Sequence, residues 1–233
     1  MSYTYASFTT ALAATLEVDP TDTDFQAQLP TIIQWAEQNI YRELDLLTSI
    51  ITVTSSLSAN SRFFTLPMTN GMSAIHFLEV PAVNVFDASN SRHPLTETSR
   101  ESIDWMWPSE TALNSTWMPE IFARISDTQL LVGGSPGSAW NCEVIGTIRP
   151  DPLSASNTTT YLSNYLPDLF FAGSMVAATG GLLKNFGSQS DNAPQAVSWQ
   201  SLYQQALASA KTEEMKKKFV AAMSSPPANA KAA

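Results

Sequence analysis

The chain has 233 residues, with twelve Lys and Arg against twenty-one Asp and Glu, a formal net charge of −9. A chain this acidic does not coat nucleic acid, because phosphate contact needs clustered cations, and here the only basic run is Lys216 to Lys218. A hydrophobic fraction of 44% marks a folded protein. Charged residues, at 14%, fall well below the roughly 25% of an average soluble domain, which favours a surface partly shared with neighbours.

Along the chain, Phe8, Leu12 and Leu16 repeat at i, i+4 and i+8 and predict a first short helix over residues 3–17. "VDPTDTD" breaks it, and its Asp residues can cap the next helix, expected from Asp24 to about Thr48. On that helix Leu29, Ile33, Ala36, Ile40, Leu44 and Leu47 form one apolar stripe. Ile32, Trp35 and Leu46 project from nearly the opposite side, among Gln38, Asn39 and Arg42. A helix with one buried face does not need a Trp on its back.

From Ile50 to Ile148 the period changes to two. "SIITVTSSL", "RFFTLP", "SAIHFLEV", "VNVF", "EIFARI", "QLLVGG" and "NCEVIGTIRP" read as strands of a six- or seven-strand antiparallel module. One small helix, "SRESIDWMWP", interrupts them, with Ser99 placed to cap it and Pro108 to stop it. A helix expected over 167–184 starts at Pro167 and is small on one side (Gly173, Ala177, Gly180) and bulky on the other (Phe171, Met175, Leu182). A last helix, 194–218, carries the stripe Trp199, Leu202, Tyr203, Ala206 and Ala210, followed by i, i+4 Glu–Lys pairs.

The expected fold class is therefore α+β, an α-helical bundle of N- and C-terminal helices with an inserted antiparallel β module. The bundle takes residues 1–48 and 160–218, the module takes 49–159, and a C-terminal tail takes 219–233, of which "SSPPANAKAA" is expected to be unfolded in isolation. "MSYTYASFTT" lacks a basic region leading into an apolar one, so no signal peptide is expected and a cytosol-like compartment of synthesis is. Leu169 to Leu183 is too short and too rich in Gly and Ser to span a bilayer.

Chemistry is hard to find. Cys142 is the only cysteine and His76 and His93 the only histidines, so neither a disulfide, a zinc site nor a Ser-His-Asp arrangement has support. "GGSPGS" has the wrong spacing for a nucleophile elbow. Glu97, Glu101, Asp104 and Glu110 near Trp105 and Trp107 could be read as sugar-cleaving carboxylates beside a stacking platform, but a solvated helix with aromatic anchors is the plainer reading. Asp19, Asp22 and Asp24 lack the Gly and distal Glu of a calcium loop. No catalytic, cofactor or metal constellation emerges, and no enzyme is expected.

Three blocks carry a resemblance. "LPTIIQWAEQNIYRELDLL", "EVIGTIRPDPLSASNTTTYLSNYLPDLFFAGSM" and "SWQSLYQQALASAKTEEMKKKF" are similar, in this order, to the head-to-tail adaptor (connector) proteins of tailed bacteriophages. The resemblance implies a structural virion protein, assembled in the host cytoplasm, forming a ring generally of twelve copies beneath the portal. Such a ring extends the DNA channel and joins capsid to tail nozzle or tail tube. Its implied partners are the portal protein, the tail protein and further copies of itself; genomic DNA passes through without sequence-specific binding, and no membrane or cofactor is involved. Ile32, Trp35 and Leu46 then become candidates for the subunit interface. Phe219, Val220, Met223, Pro226 and Pro227 become candidates for portal docking. Another neck or tail-completion protein is the nearest alternative, and a carbohydrate-binding or glycoside-cleaving module using Trp105, Trp107 and Trp117 is the one from a different class.

Overall fold

The computed structural model describes residues 2–68, 76–109, 117–179 and 193–224, with main chain alone for 193–197 and 224. It divides into two compact units, one of residues 1–48 and 150–233, the other of residues 49–149. The second unit is thus an insertion in the first, and its C-terminal boundary falls at 149 rather than 159.

In the helical unit, α1 is Tyr5–Thr15, and Thr4 caps it by accepting from the Ser7 N–H. α2, Thr23–Glu43, is capped by Asp22, whose carboxylate accepts from the Phe25 N–H at 2.8 Å. Pro30 sits inside α2 and removes one helical donor. The helix ends at Glu43, earlier than its hydrophobic spacing predicts: Leu44 is extended (φ −113°, ψ 121°), and a short 3-10 turn follows at Leu47–Ser49. α4 is Tyr161–Tyr165, capped by Thr160; α5 is Pro167–Thr179; and α6, Ala193–Ser224, is the longest helix described.

These helices share one core. Phe8 stacks on Phe170 with ring centroids 4.4 Å apart, and Leu12, Leu29, Ile33, Ile40, Leu169, Met175 and Leu207 pack in the same cluster. Gly173 lets α5 lie close to two neighbours at once, since a Cβ there would sit 3.3 Å from the Tyr203 ring and 3.5 Å from the Ala36 Cβ. The small face read from the sequence packs closely, and Met175 of the bulky face is buried too; Gly180, Leu182 and the rest of 180–184 lie outside the described residues.

The inserted unit is a two-sheet β structure. Its strands are β1 (Ile50–Leu57), β2 (Phe63–Thr65), β3 (Phe77–Phe86), β4 (Arg92–Pro94), β5 (Thr96–Glu97), β6 (Ile121–Ser126), β7 (Gln129–Gly133) and β8 (Trp140–Ile148). One sheet runs β1-β8-β3-β4 and the other β2-β7-β6-β5. The pairing is antiparallel except for β5 with β6, where Thr96 faces Ile121 in parallel register. "FLEV", the end of "SAIHFLEV", and "VNVF" belong to one strand, β3, which continues through Pro81 with shifts of register against β8 between Phe77 and Ala82; residues 73–75 lie outside the described residues. Inward residues of both sheets, among them Val53, Phe64, Val83, Phe122, Leu130 and Val144, form the core between them. α3, Arg100–Met106, packs Ile103 against Ala123 and Leu131 on the second sheet. Gly134 (φ +77°) takes the left-handed turn after β7, where any Cβ would strike the Trp117 indole.

Candidate functional site

The segment that raised the two-faced question resolves mostly inward. Ile32 and Leu46 are 0% and 1% exposed in their own subunit, in the core that α1, α2, α5 and α6 build together. Neither has surface left in the chain, where both are core residues. The reason is physical: α2 contributes to a core with helices on more than one side, and Leu46 is not helical at all because the chain is already extended at Leu44. Trp35 is half-buried against the same core and retains surface for a neighbour.

The C-terminal half of α6 is fastened to the chain leaving α2. Glu214, 4% exposed, accepts from the Leu47 N–H at 3.2 Å, the Tyr161 hydroxyl at 3.2 Å and the Lys217 ammonium at 2.8 Å. Tyr203 donates to Glu43 at 3.2 Å, Lys211 lies 3.6 Å from Glu43, and Lys218 pairs with Asp45. The buried stripe of α6 is Tyr203, Leu207, Ala210 and Glu214; Leu202, read as part of it, is exposed instead. An acid at i+11 from Tyr203 and i+7 from Leu207, in line with an apolar stripe, is the signal that spacing offers for this buried carboxylate.

Glu37 forms a second knot. It lies on the inward face of α2 between Ile33 and Ile40, and only 3% of it is exposed. Both its carboxylate oxygens accept from the Leu153 N–H at 3.2 Å, and the Thr160 hydroxyl reaches Oε1 at 3.5 Å. Burial pushes its carboxyl up to about 7, with the two hydrogen bonds opposing the rise only in part. Glu214 behaves oppositely. Burial raises its pKa as well, but Lys217, the Leu47 N–H and the Tyr161 hydroxyl outweigh it and hold the carboxyl below its ordinary value.

Beyond these knots, α6 carries an apolar stripe that no other described residue covers. Met215, Phe219 and Met223, spaced i, i+4 and i+8, are 72%, 66% and 72% exposed, with Val220 beside them. Phe219, Val220 and Met223, expected in the C-terminal tail 219–233, are instead in the last turns of a continuous helix ending at Ser224. Pro226 and Pro227 lie outside the described residues.

The residues examined for chemistry have structural occupations. Asp19 closes a turn onto Thr21 at 2.7 Å, and Asp22 is the α2 cap. Asp104 is held by Arg62 at 2.8 Å and by Arg100 at 3.4 Å. Trp107 and Trp117 pack against Gly133 and Gly134. His93 pairs with Asp87 at 3.0 Å. Glu110 lies outside the described residues. Among the described residues no group of three His, Cys, Asp or Glu side chains could hold a metal, and no helix is long and apolar enough to cross a membrane.

Comparison with known proteins gives one positive result. A family model described as SU10 adaptor protein matches residues 3–227, which takes in both units. No curated protein matches the chain.

Proposed function

Since this chain belongs to the SU10 adaptor protein family and is a structural phage adaptor, we propose that it forms a ring, of twelve copies, beneath the portal of the particle. The ring extends the DNA channel and gives the tail nozzle or tail tube its platform. α6 makes the portal contact. The observation that carries this reading is the Met215, Phe219 and Met223 stripe, exposed on a helix whose other side is fixed by Glu214 and Tyr203. An amphipathic helix presenting i, i+4 and i+8 anchors is suited to a groove in another protein, and Met and aromatic residues are the types enriched at interface cores. Trp35 is the one of the three original interface candidates left with surface for an adjoining subunit. The few charges of the chain suit a protein with large shared surfaces, and its acidity suits a conduit that DNA passes without sticking.

Negative-stain imaging of the purified protein mixed with its portal tests the reading directly. Rings seated on the portal are expected. Replacing Met215, Phe219 and Met223 together by Ser should abolish that binding and leave the melting temperature unchanged within a few degrees, because all three side chains are exposed. Undiminished portal binding by that variant would remove α6 as the docking element, and preferential binding to tail tube would make the protein a tail-completion factor instead.

A further inference from the structure

We propose that the Trp105 indole, with Met106 beside it, is a knob by which one copy of the chain docks into an aromatic groove on the helical unit of the next copy. The proposal rests on the ring reading above and names the contact that would build the ring.

Trp105 is 84% exposed at the end of α3, and Met106 is 44% exposed. Tryptophan is highly buried on average, so an indole held this far into water is unusual, and it is not held loosely. Ile103 anchors α3 in the sheet below it, Asp104 is clamped by Arg62 at 2.8 Å, and Trp107 lies against Gly133. The knob is presented by a fixed base, which lowers the ordering cost of using it.

The matching hole is a groove of about 650 Å³ between the N-terminal segment, α5 and α6. Its walls include Tyr3, Phe171, Trp199 and the exposed Leu202, with the small side chains Ala172 and Ala206 leaving the room. Tyr3 stacks on Phe171 at 6.0 Å and Phe171 meets Trp199 edge-on at 6.0 Å, so the walls already have the geometry that aromatic rings adopt with one another. A volume in the range that accepts drug-sized ligands has space for an indole and a thioether chain together. Charges match as well. Asp168 stands at the groove, while Arg100 on the knob's helix is 58% exposed and spends one nitrogen on a long 3.4 Å bond to Asp104.

A second copy is the occupant that the charges favour, since its Arg100 beside the knob is matched by Asp168 at the groove, and knob and groove are different surfaces of one sequence. Such a contact is heterologous, so each copy that inserts its knob still offers its own groove, and repetition closes a ring when the rotation allows. The anchor covers only a fraction of the roughly 1,600 Å² of a stable interface. Copies held together by it alone associate weakly in free solution, and a portal template brings them into register.

The test mixes two variants, W105C and L202C, in the presence of portal and oxidises with copper-phenanthroline; the native Cys142 is buried and does not compete. Covalent dimers are expected in the mixture and in neither variant alone, and the double variant should give a ladder of linked copies. W105A should weaken ring formation on portal at least tenfold with an unchanged melting temperature, and W105F should recover part of the loss. Rings that form with W105A as readily as with the parent chain overturn the contact and leave the adaptor role standing; so does a W105C cross-link to portal or tail protein in place of the next copy. If even the parent chain forms no ring on portal, the ring reading itself fails and takes the contact with it.

Discussion

Glu37 and Glu214 are both almost out of reach of solvent in the same helical unit, and each ties a connecting stretch to a helix, yet their carboxyls move in opposite directions. Glu37 holds Leu153 and Thr160 with no cation among its bonds; Glu214 holds Leu47 and Tyr161 with Lys217 at 2.8 Å. Burial disfavours charge in both, and the ammonium reverses the balance in one. Lys217 answers in kind: its bonds to Glu213, Glu214 and Tyr161 hold its proton more firmly than in water.

The largest expected effect follows from Glu37. Its folded pKa, about 7, stands above the ordinary 4.5, so the folded state keeps a proton that the unfolded chain has lost. Its contribution is therefore complete below pH 4.5 and declines as pH rises toward 7, by up to about 3 kcal/mol if the whole shift counts. E37Q keeps an acceptor for the Leu153 N–H without a charge. Urea unfolding should show it more stable than the parent chain at pH 8 and close to it at pH 4.5; an unchanged slope with pH would detach Glu37 from the acid–base behaviour of the unit.

E214Q should do the reverse. A depressed folded pKa gives stability that is present above the ordinary carboxylate range and lost as pH falls through the folded value. Removing the charge weakens the bonds from Lys217, Tyr161 and Leu47 and should cost about 2 kcal/mol at pH 7, shrinking in acid. K217M tests the same knot from its more exposed side and should cost about 1 kcal/mol, since solvent screens an ammonium that is 37% exposed. A double-mutant cycle of the two should show positive coupling, and strict additivity would mean that the ion pair contributes nothing beyond its separate hydrogen bonds.

The two knots also mark what spacing could and could not reveal. The i, i+4 repeats located α1, α2 and α5, Ser99 located α3, and the change to period two located the inserted unit. The end of α2 was not legible, because "RELDLL" carries neither Gly nor Pro. The helix stops there where tertiary ties take over: Leu47 is held by Glu214 and Asp45 by Lys218, more than 160 residues away in sequence. The same distance hid the burial of Leu46. The burial of Ile32 was not legible because a helical wheel shows faces and not how many of them are covered. The division of the described strands into two sheets, with one parallel pair, depends on long-range register that no local pattern encodes. The helix read from the sequence ends at 218, and its continuation to Ser224 was not legible, because the Glu–Lys pairs that mark it stop at Lys218.

The smallest effect sharpens the contrast most. The Tyr41 hydroxyl is buried with no hydrogen-bond partner among the described residues, one turn along α2 from Glu37. Burial, with the Glu37 charge adding to it, raises the phenol's pKa further, so the group stays a neutral, unpaired dipole. Deleting a buried polar group that has no partner costs nothing in lost bonds and removes its desolvation penalty. Y41F should therefore stabilise the fold at pH 8 by about 0.5–1 kcal/mol, read by urea unfolding. Near pH 5 Glu37 carries a proton and becomes a donor, and a phenolic oxygen is an acceptor it could use. A gain at pH 8 that turns into a loss at pH 5 would mean that the protonated acid bonds to Tyr41, making the knot without a cation two arrangements exchanged by one proton; a gain of equal size at both values would leave Glu37 to Leu153 and Thr160 alone.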